Sequence, residues 1–568
     1  MQVLAAASAA GMPLAAYAQK NQFEGLYDIS KSGNVHLLHF TDCHAQLLPM
    51  YFREPSVNLG FGVMNARPPH FVGEAFLKFH GVAPNTAAAH TLTYLDFESA
   101  AHTYGKVGGF AHMATLVKRM KTSRPGALLL DGGDTWQGSG TALWTNGQDM
   151  VDACLALGVD IMTAHWEMTL GDKRVSDIVE KDFKNKVEFI AQNIRTADFD
   201  EEVFKPYTMR TMNGVQVAII GQAFPYTPIA NPRHLTPNWT FGIQEARLQG
   251  YVNEARAKGA QAVVLLSHNG MDVDLKLAAR TRGIDLILGG HTHDGVPQPV
   301  RISNLDGGTT YVTNAGSNGK FLAVADLNVQ GSTVVGLNYT LLPVFANALP
   351  ADPAMQALID QSRAPFAAQL AQPLAVTQGT LYRRGNFNGT FDQLMLDALM
   401  QEKNAEIAFS PGFRWGTSLL PGQTITTEHV MDQTAISYPH TTRSVMSGAM
   451  IKTVLEDVAD NLFNPDPYLQ QGGDMVRVGG LHYVIEPQAT MGSRISEMRL
   501  GGSPIDPAKN YTVAGWAPVA QSAGEGTTWG EPMWDLMSRW LKAQQTVAPR
   551  VLNTPRIIGA AGNAGIAP

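Results

Sequence analysis

Asp285-Leu-Ile-Leu-Gly-Gly-His-Thr-His-Asp294 is the stretch on which the reading of this chain turns. Leu286 to Leu288 form a short aliphatic run of the kind a buried strand uses, two glycines end it, and His291 and His293 follow one residue apart. In an extended segment residues i and i+2 point the same way, so the two imidazoles are expected to meet at one point beyond the strand end. That is a metal-ligand arrangement, although His-Thr-His alone is also a surface-loop sequence. The weight comes from other runs that end in the same manner.

Val35-His-Leu-Leu-His-Phe40 is followed by Asp42-Cys43-His44, and Ala127-Leu-Leu-Leu130 runs into Asp131-Gly-Gly-Asp134. Gly158–Ala164 leads to His165, and Ala262-Val-Val-Leu-Leu-Ser267 to His268. Strand ends therefore deliver Asp42, His44, Asp134, His165, His268, His291 and His293. So many nitrogen and oxygen donors exceed what one ion takes while leaving room for a substrate. They suit two ions that share a carboxylate.

The chain has 568 residues, which exceeds the usual limit of a single core and predicts two large domains. Hydrophobic residues make up 45% and charged residues 16%, as in a well-buried globular protein, and the net charge of −7 with no dense Lys/Arg block argues against nucleic-acid and anionic-membrane partners. Cys43 and Cys154 have neither CxxC nor zinc-knuckle spacing; two free thiols are expected, with a single disulfide between them as the alternative. Met1–Ala18 is uncharged and ends in Ala16-Tyr17-Ala18, so residues 1–18 read as an export signal that lacks a visible basic start. No other run approaches the roughly 18 apolar residues that span a bilayer. Residues 48–104 read as a long insertion, and Ala111–Lys121 as a helix with Met113, Leu116, Val117 and Met120 on one face. Ala351–Ala371 reads as a connecting helix. The expected division is thus 19–345 for the metal-bearing domain, 346–371 for the connection and 372–560 for a second domain, with Gly559–Pro568 as a flexible end.

The motifs Asp42-Cys-His44, Gly132-Gly-Asp134, Ala164-His-Trp-Glu167, Ser267-His-Asn-Gly270 and Gly289-Gly-His-Thr-His293 resemble those of the calcineurin-like metallophosphoesterases in their two-domain 5'-nucleotidase branch, over nearly all of residues 34–560. Tyr51–Gly60, Gly221–Ala230 and Arg383–Thr390 are similar, within that branch, to the SoxB-type thiosulfohydrolase family. The resemblance implies an α/β fold: a four-layer α/β/β/α metallophosphoesterase-like domain and a second, α+β, C-terminal domain. It implies that Asp42, His44, Asp134 and His293 hold one ion and Asp134, His165, His268 and His291 the other, with Asp134 as the bridge. Two divalent ions, manganese by resemblance, are expected; five histidines and two aspartates suit zinc or iron equally by ligand softness. Arg383, Arg384 and Arg414 are expected to grip substrate, and Asp134, His165, Arg384 and Arg414 to take part in catalysis. The implied activity is periplasmic release of sulfate from the S-sulfonated cysteine of a SoxYZ-type carrier protein. A periplasmic nucleotidase-like phosphoesterase and a non-catalytic, metal-stabilised binding protein are the alternatives.

One departure from the nucleotidase pattern bears on mechanism. Where that branch reads Gly-Asn-His-Glu-Phe-Asp, this chain has Ala164-His165-Trp166-Glu167-Met168-Thr169. By the resemblance, the histidine that assists the leaving group has become Trp166 and its aspartate partner Thr169. An alkoxide needs such help, whereas a thiol ionises near ~8.5 and its anion leaves unaided.

Overall fold

In the computed structural model residues 22–517, 525–548 and 550–567 are described, so the Met1–Ala18 stretch read as an export signal lies outside them. Two six-stranded sheets form the first domain. One runs in the order Thr333–Pro343, Phe321–Gln330, Val35–Phe40, Leu128–Asp131, Ile161–Met162, Glu188–Phe189, and the last four strands are parallel. The other runs Val300–Ser303, Thr309–Asn314, Leu286–Gly289, Ala262–Ser267, Val215–Gln222, Tyr207–Met212, with its inner four strands parallel.

Period-two alternation sorts the side chains into layers. Leu37, Leu130 and Ile161 meet Val217, Val264 and Leu286 in one core between the sheets. Their sequence neighbours Leu38, Leu129 and Met162 face away, under the helices Phe110–Ser123, Gln148–Leu157 and Pro353–Arg363. Val263, Leu265 and Ile287 do the same under Glu245–Ala257 and Met271–Arg280. Strands buried on both faces explain the unbroken aliphatic runs that the sequence shows. The result is the four-layer α/β/β/α domain, and the parallel strands bring their C-terminal ends to one edge.

A second domain follows the segment Ala351–Ala371, which the sequence reads as one helix. It is three pieces, Pro353–Arg363, Ala364–Phe366 and Ala367–Leu370, because Pro365 cannot donate within the run. A five-stranded sheet ordered Arg477–Gly479, Ile407–Ser410, Asn510–Trp516, His440–Ser447, Glu525–Pro532 is covered by Thr390–Glu402, Gly448–Phe463 and Met533–Gln544.

The C-terminal tail corrects the expectation of a flexible end. Asn58 donates to Gly565 O (2.5 Å), Val72 to Ala564 O (2.9 Å), and Ala567 to Ser56 O (3.0 Å), so the last residues return to the first domain and lie on the 48–104 insertion. Asn563 Nδ2 bonds to Gly60 O at 2.8 Å. Composition at this end, small residues and glycine, gave no sign that its backbone polar groups had partners. Cys43 and Cys154 are free and buried. Among the described residues no helix is long and apolar enough to cross a membrane.

Candidate metal centre

The first domain's parallel strands stop within a few residues of one another, and the turns that follow them are sharply bent. Asp42 (φ 53°), His44 (φ 46°), Asp134 (φ 59°), His291 (φ 72°) and His293 (φ 62°) all lie in the left-handed region, and His165 has φ −151°, ψ −81°. Such residues cost of order 1–3 kcal/mol each and persist only when their surroundings over-determine them. Here the turns hold one another. Asp42 N donates to Gly133 O and His44 N to Asp134 O, each at 2.8 Å, and Asn318 N donates to Asp42 O at 2.8 Å. Glu167, fully buried, accepts from the backbone of His165 (2.8 Å), Thr135 (2.7 Å), Asp134 (3.2 Å) and Trp136 (3.3 Å). Gly290 has to be glycine because a Cβ there would lie 2.5 Å from Thr41 Oγ1.

These bends overturn the extended geometry expected of His-Thr-His. His291 and His293 do not converge. They go to two clusters, Asp134, His165, His268 and His291 in one and Asp42, His44, Asp134 and His293 in the other, each with its donor atoms within 4.8 Å of one another. Asp134 belongs to both. Its Oδ2 lies 3.1 Å from His268 Nε2, 3.2 Å from His165 Nδ1 and 3.7 Å from His44 Nε2. His293 Nε2 stands 3.1 Å from Asp42 Oδ1 and 3.0 Å from His44 Nε2. All seven proposed ligands are therefore brought together.

The donor set fits two divalent cations. His165 Nε2 and both ring nitrogens of His291 are buried without a hydrogen-bond partner among the described residues, an arrangement that costs stability unless something else takes the lone pairs. Burial pushes His44 down to about 4, and it holds His291 and His293 well below their ordinary value, so these imidazoles stand neutral, the form that binds a metal. His268 differs: burial opposes its charge, but Asp134 and Asp42 raise it to about 10. The two carboxylates thus demand positive charge at this point. His268 Nδ1 donates to Gly132 O at 2.6 Å, which orients the ring and leaves Nε2 facing the centre.

A cavity of about 360 Å³ opens between the domains onto His44, Asp134, His165, His291 and His293. Arg414 lines it, anchored to Asp474 Oδ1 at 3.1 Å and Gly473 O at 2.8 Å. The other two arginines depart from expectation. Arg383 is buried in the second domain, bonded to Asp392 Oδ1 (3.2 Å) and Gln433 O and close to the rings of Trp415 and Phe413, so it does not reach the cavity. Arg384 donates to Thr292 O at 2.9 Å and lines two smaller cavities beyond His293.

Sequence reasoning left Phe224, Phe413, Trp415 and the Gly472 loop unnamed as contributors to the site, while the Trp166 and Thr169 that it named take up structural roles. Phe224, Phe413 and Trp415 form an aromatic wall, with the Trp415 ring stacked 5.5 Å from that of His44. Trp166 meets Trp415 edge-on at 4.8 Å and is part of the second domain's core although it belongs to the first. Thr169 Oγ1 donates to Trp166 O at 2.6 Å, which closes the turn. Gly472, in a Gln-Gln-Gly-Gly-Asp loop, has φ 78°, and a Cβ on it would lie 2.0 Å from His291 Nε2. The paired glycines beside an aspartate were the one signal available for that loop.

Residues 367–530 match the family model of the 5'-nucleotidase C-terminal domain. The chain is 24% identical over 432 residues to 5'-nucleotidase of Bos taurus, covering 69% of this chain and 73% of that protein. Its structure is similar to that of a Thermus thermophilus sulfate thiohydrolase, SoxB, in complex with glycerol, with a TM-score of 0.89 and 38% identity over 94% of this chain and 98% of that one. It also shares its fold with a 5'-nucleotidase precursor from Thermus thermophilus, at a TM-score of 0.73 and 21% identity over 93% and 99% of the two chains.

Proposed function

The chain belongs to the SoxB family of the two-domain 5'-nucleotidase fold, and from that premise we propose that it is a dimetal sulfohydrolase that releases sulfate from the S-sulfonated cysteine of a SoxYZ-type carrier protein in the periplasm. Trp166 carries the reading. It lines the cavity beside His165, and Thr169 is occupied with the backbone, so neither supplies a proton. Of the other ionisable groups that line the cavity, Arg414 and Asp474 are paired with each other, and Asp457 is exposed. No buried, positioned acid stands where the nucleotidase pattern has its histidine and aspartate, which favours a leaving group that departs unprotonated, as a sulfur anion does readily and an alkoxide does not.

Asp42, His44, Asp134 and His293 would hold one divalent ion and Asp134, His165, His268 and His291 the other, manganese being the expected metal. When bound, the pair supplies Lewis-acid activation of water and neutralises charge on the sulfonate. The protein's own groups then position the reactants. Arg414, fixed by Asp474, presents its remaining donor capacity to sulfonate oxygens. The aromatic wall of Phe224, Phe413, Trp415 and Trp166 keeps the reacting bond away from bulk water. In the balanced reaction the water oxygen bonds to the sulfonate sulfur and the S–S bond breaks. Its electron pair stays on the carrier's sulfur, and two protons pass to solvent.

The test compares manganese-loaded wild type with the Trp166→His, Thr169→Asp double variant on an S-sulfonated peptide and on nucleotide monophosphates. Wild type should favour the peptide. The variant should gain phosphatase activity, by up to the ~10²–10⁴-fold that a positioned acid gives, with no matching gain on the S–S bond. Metal content and unfolding midpoint guard against packing damage from the lost indole. Wild type that turns over nucleotide monophosphates as fast as the peptide would reverse the reading in favour of a phosphoesterase.

A further inference from the structure

The loop at residues 470–474 belongs to the second domain and holds none of the seven ligands, yet it closes on one of them. A Cβ built on Gly472 would lie 2.0 Å from His291 Nε2 and 3.0 Å from both Cδ2 and Cε1. Equal distances of that size to the two flanking carbons put the point in the ring plane, straight out along the bonding axis of Nε2. An ion bonded to Nε2 would stand at the same place, since metal–imidazole bonds run to about 2 Å. A carbon–carbon bond is about 1.5 Å long, so the Gly472 Cα lies too near that point for an ion to occupy it. Of the two ring nitrogens, only Nδ1 is left to serve the cluster with Asp134, His165 and His268.

A metal-bound histidine ordinarily donates its other ring N–H to a carboxylate, carbonyl or water. His268 has such a partner in Gly132 O. His291 Nε2 has none among the described residues, and Gly472 stands in that place instead. The ring is thus held by contact, with Phe224 packed against it at 4.2 Å between centroids. The loop itself is pinned. Asp474 N donates to Gly412 O at 2.9 Å, and Arg414 donates to Gly473 O at 2.8 Å, to Asp474 Oδ1 at 3.1 Å and to His291 O at 3.4 Å. One guanidinium therefore ties the loop to the turn that carries the ligand.

We propose that Gly472 is a positioning residue for the ion of Asp134, His165, His268 and His291: it closes the Nε2 side of His291, commits that ring to bind through Nδ1, and so makes the second domain complete one ion site of the pair. At the other site the second domain meets His44 through the stacked ring of Trp415. Contact with a ring face leaves both nitrogens open, so it selects neither. The inference rests on the two-ion centre of the reading above and is independent of the substrate.

Gly472→Ala and Gly473→Ala separate the contact from the backbone. The two positions have φ of 78° and 79° and strain an alanine alike, but a Cβ on Gly473 meets only Gly412 O, at 3.8 Å. Manganese titration of Gly472→Ala should show one ion bound as in wild type and the other weakened by the roughly 10–100-fold that loss of a ligand's orienting partner costs. Its electron paramagnetic resonance spectrum should change from that of a coupled pair to that of isolated Mn(II), while Gly473→Ala keeps the pair. The ligand atom is read separately, because His291→Asn sets an amide oxygen where Nδ1 stands and His291→Gln sets one where Nε2 stands. The asparagine variant should retain the second ion better than the glutamine variant, and this comparison decides if the alanine variants do not fold. Two tightly bound ions in Gly472→Ala, equal losses in the two alanine variants, or better retention in His291→Gln overturns the inference. Wild type that binds no pair of ions refutes the two-ion centre itself.

Discussion

His165 shows what the centre asks of a single side chain. Nδ1 lies 3.2 Å from the shared Asp134 carboxylate, and the residue belongs to one cluster only. His165→Ala should therefore lower bound metal by about half, by elemental analysis, while activity is nearly abolished, because the pair of ions is the catalytic unit. Full metal content in that variant would sink the ligand assignment. The identities of the seven residues were legible because each follows an aliphatic run, a pattern that survives any detail of the turns. Their backbone was not legible: the left-handed φ of His291 and His293, which sends the two rings to different clusters, is imposed by neighbouring turns and Asp42, whose carboxylate accepts from His291 N at 3.0 Å. Arg383 and Arg384 illustrate the same limit. Consecutive residues of an extended segment face opposite ways, and only the placement of Asp392 against Arg383 reveals which of the two is structural.

At the scale of elements, the sequence displayed strands by their composition and hid the segments whose order comes from pairing. Val35–Phe40 and Ala262–Ser267 are strands buried along their whole length. The run before His165, by contrast, contributes only Ile161–Met162 to its sheet. The helix expected over Ala111–Lys121 extends to Phe110–Ser123. The tail is the clearest case of order without a local signal, because its bonds go to residues about 500 positions away. Deleting residues 559–568 should cost about 1–3 kcal/mol, the net worth of a few backbone hydrogen bonds less the entropy of a short end. A lower unfolding midpoint with unchanged metal content is the expected outcome, together with faster proteolysis within residues 56–72. A midpoint equal to wild type would show that the docked tail contributes nothing to the fold.

Across the whole molecule, contacts between the domains cluster around the cavity and leave little freedom between the two halves. Trp166 crosses into the second domain's core. Tyr438 bonds to Asn231 at 2.7 Å, Gln137 to Ala435 O at 2.7 Å, Ser437 to Thr169 O at 2.8 Å, and Tyr468 to Glu245 at 2.8 Å. Domains within a chain move relative to one another by default unless their interface is large and apolar. Here an indole is shared, and the tail ties the second domain back to residues 56–72. The cavity should therefore be preformed, its shape independent of metal and substrate. Labels at the exposed positions Ser332 and Ser503, one in each domain, can report this through Ser332→Cys and Ser503→Cys, since Cys43 and Cys154 are buried and do not react. Pulsed electron-spin distance measurements should give one narrow population, unchanged by manganese or by an S-sulfonated peptide. Replacing Trp166 by alanine, at the roughly 3–5 kcal/mol that loss of a buried tryptophan costs, together with removal of the tail, should broaden that distribution. A second population in the wild-type protein on substrate binding would mean that the halves rotate, and the cavity described between them would then be one state of a moving cleft.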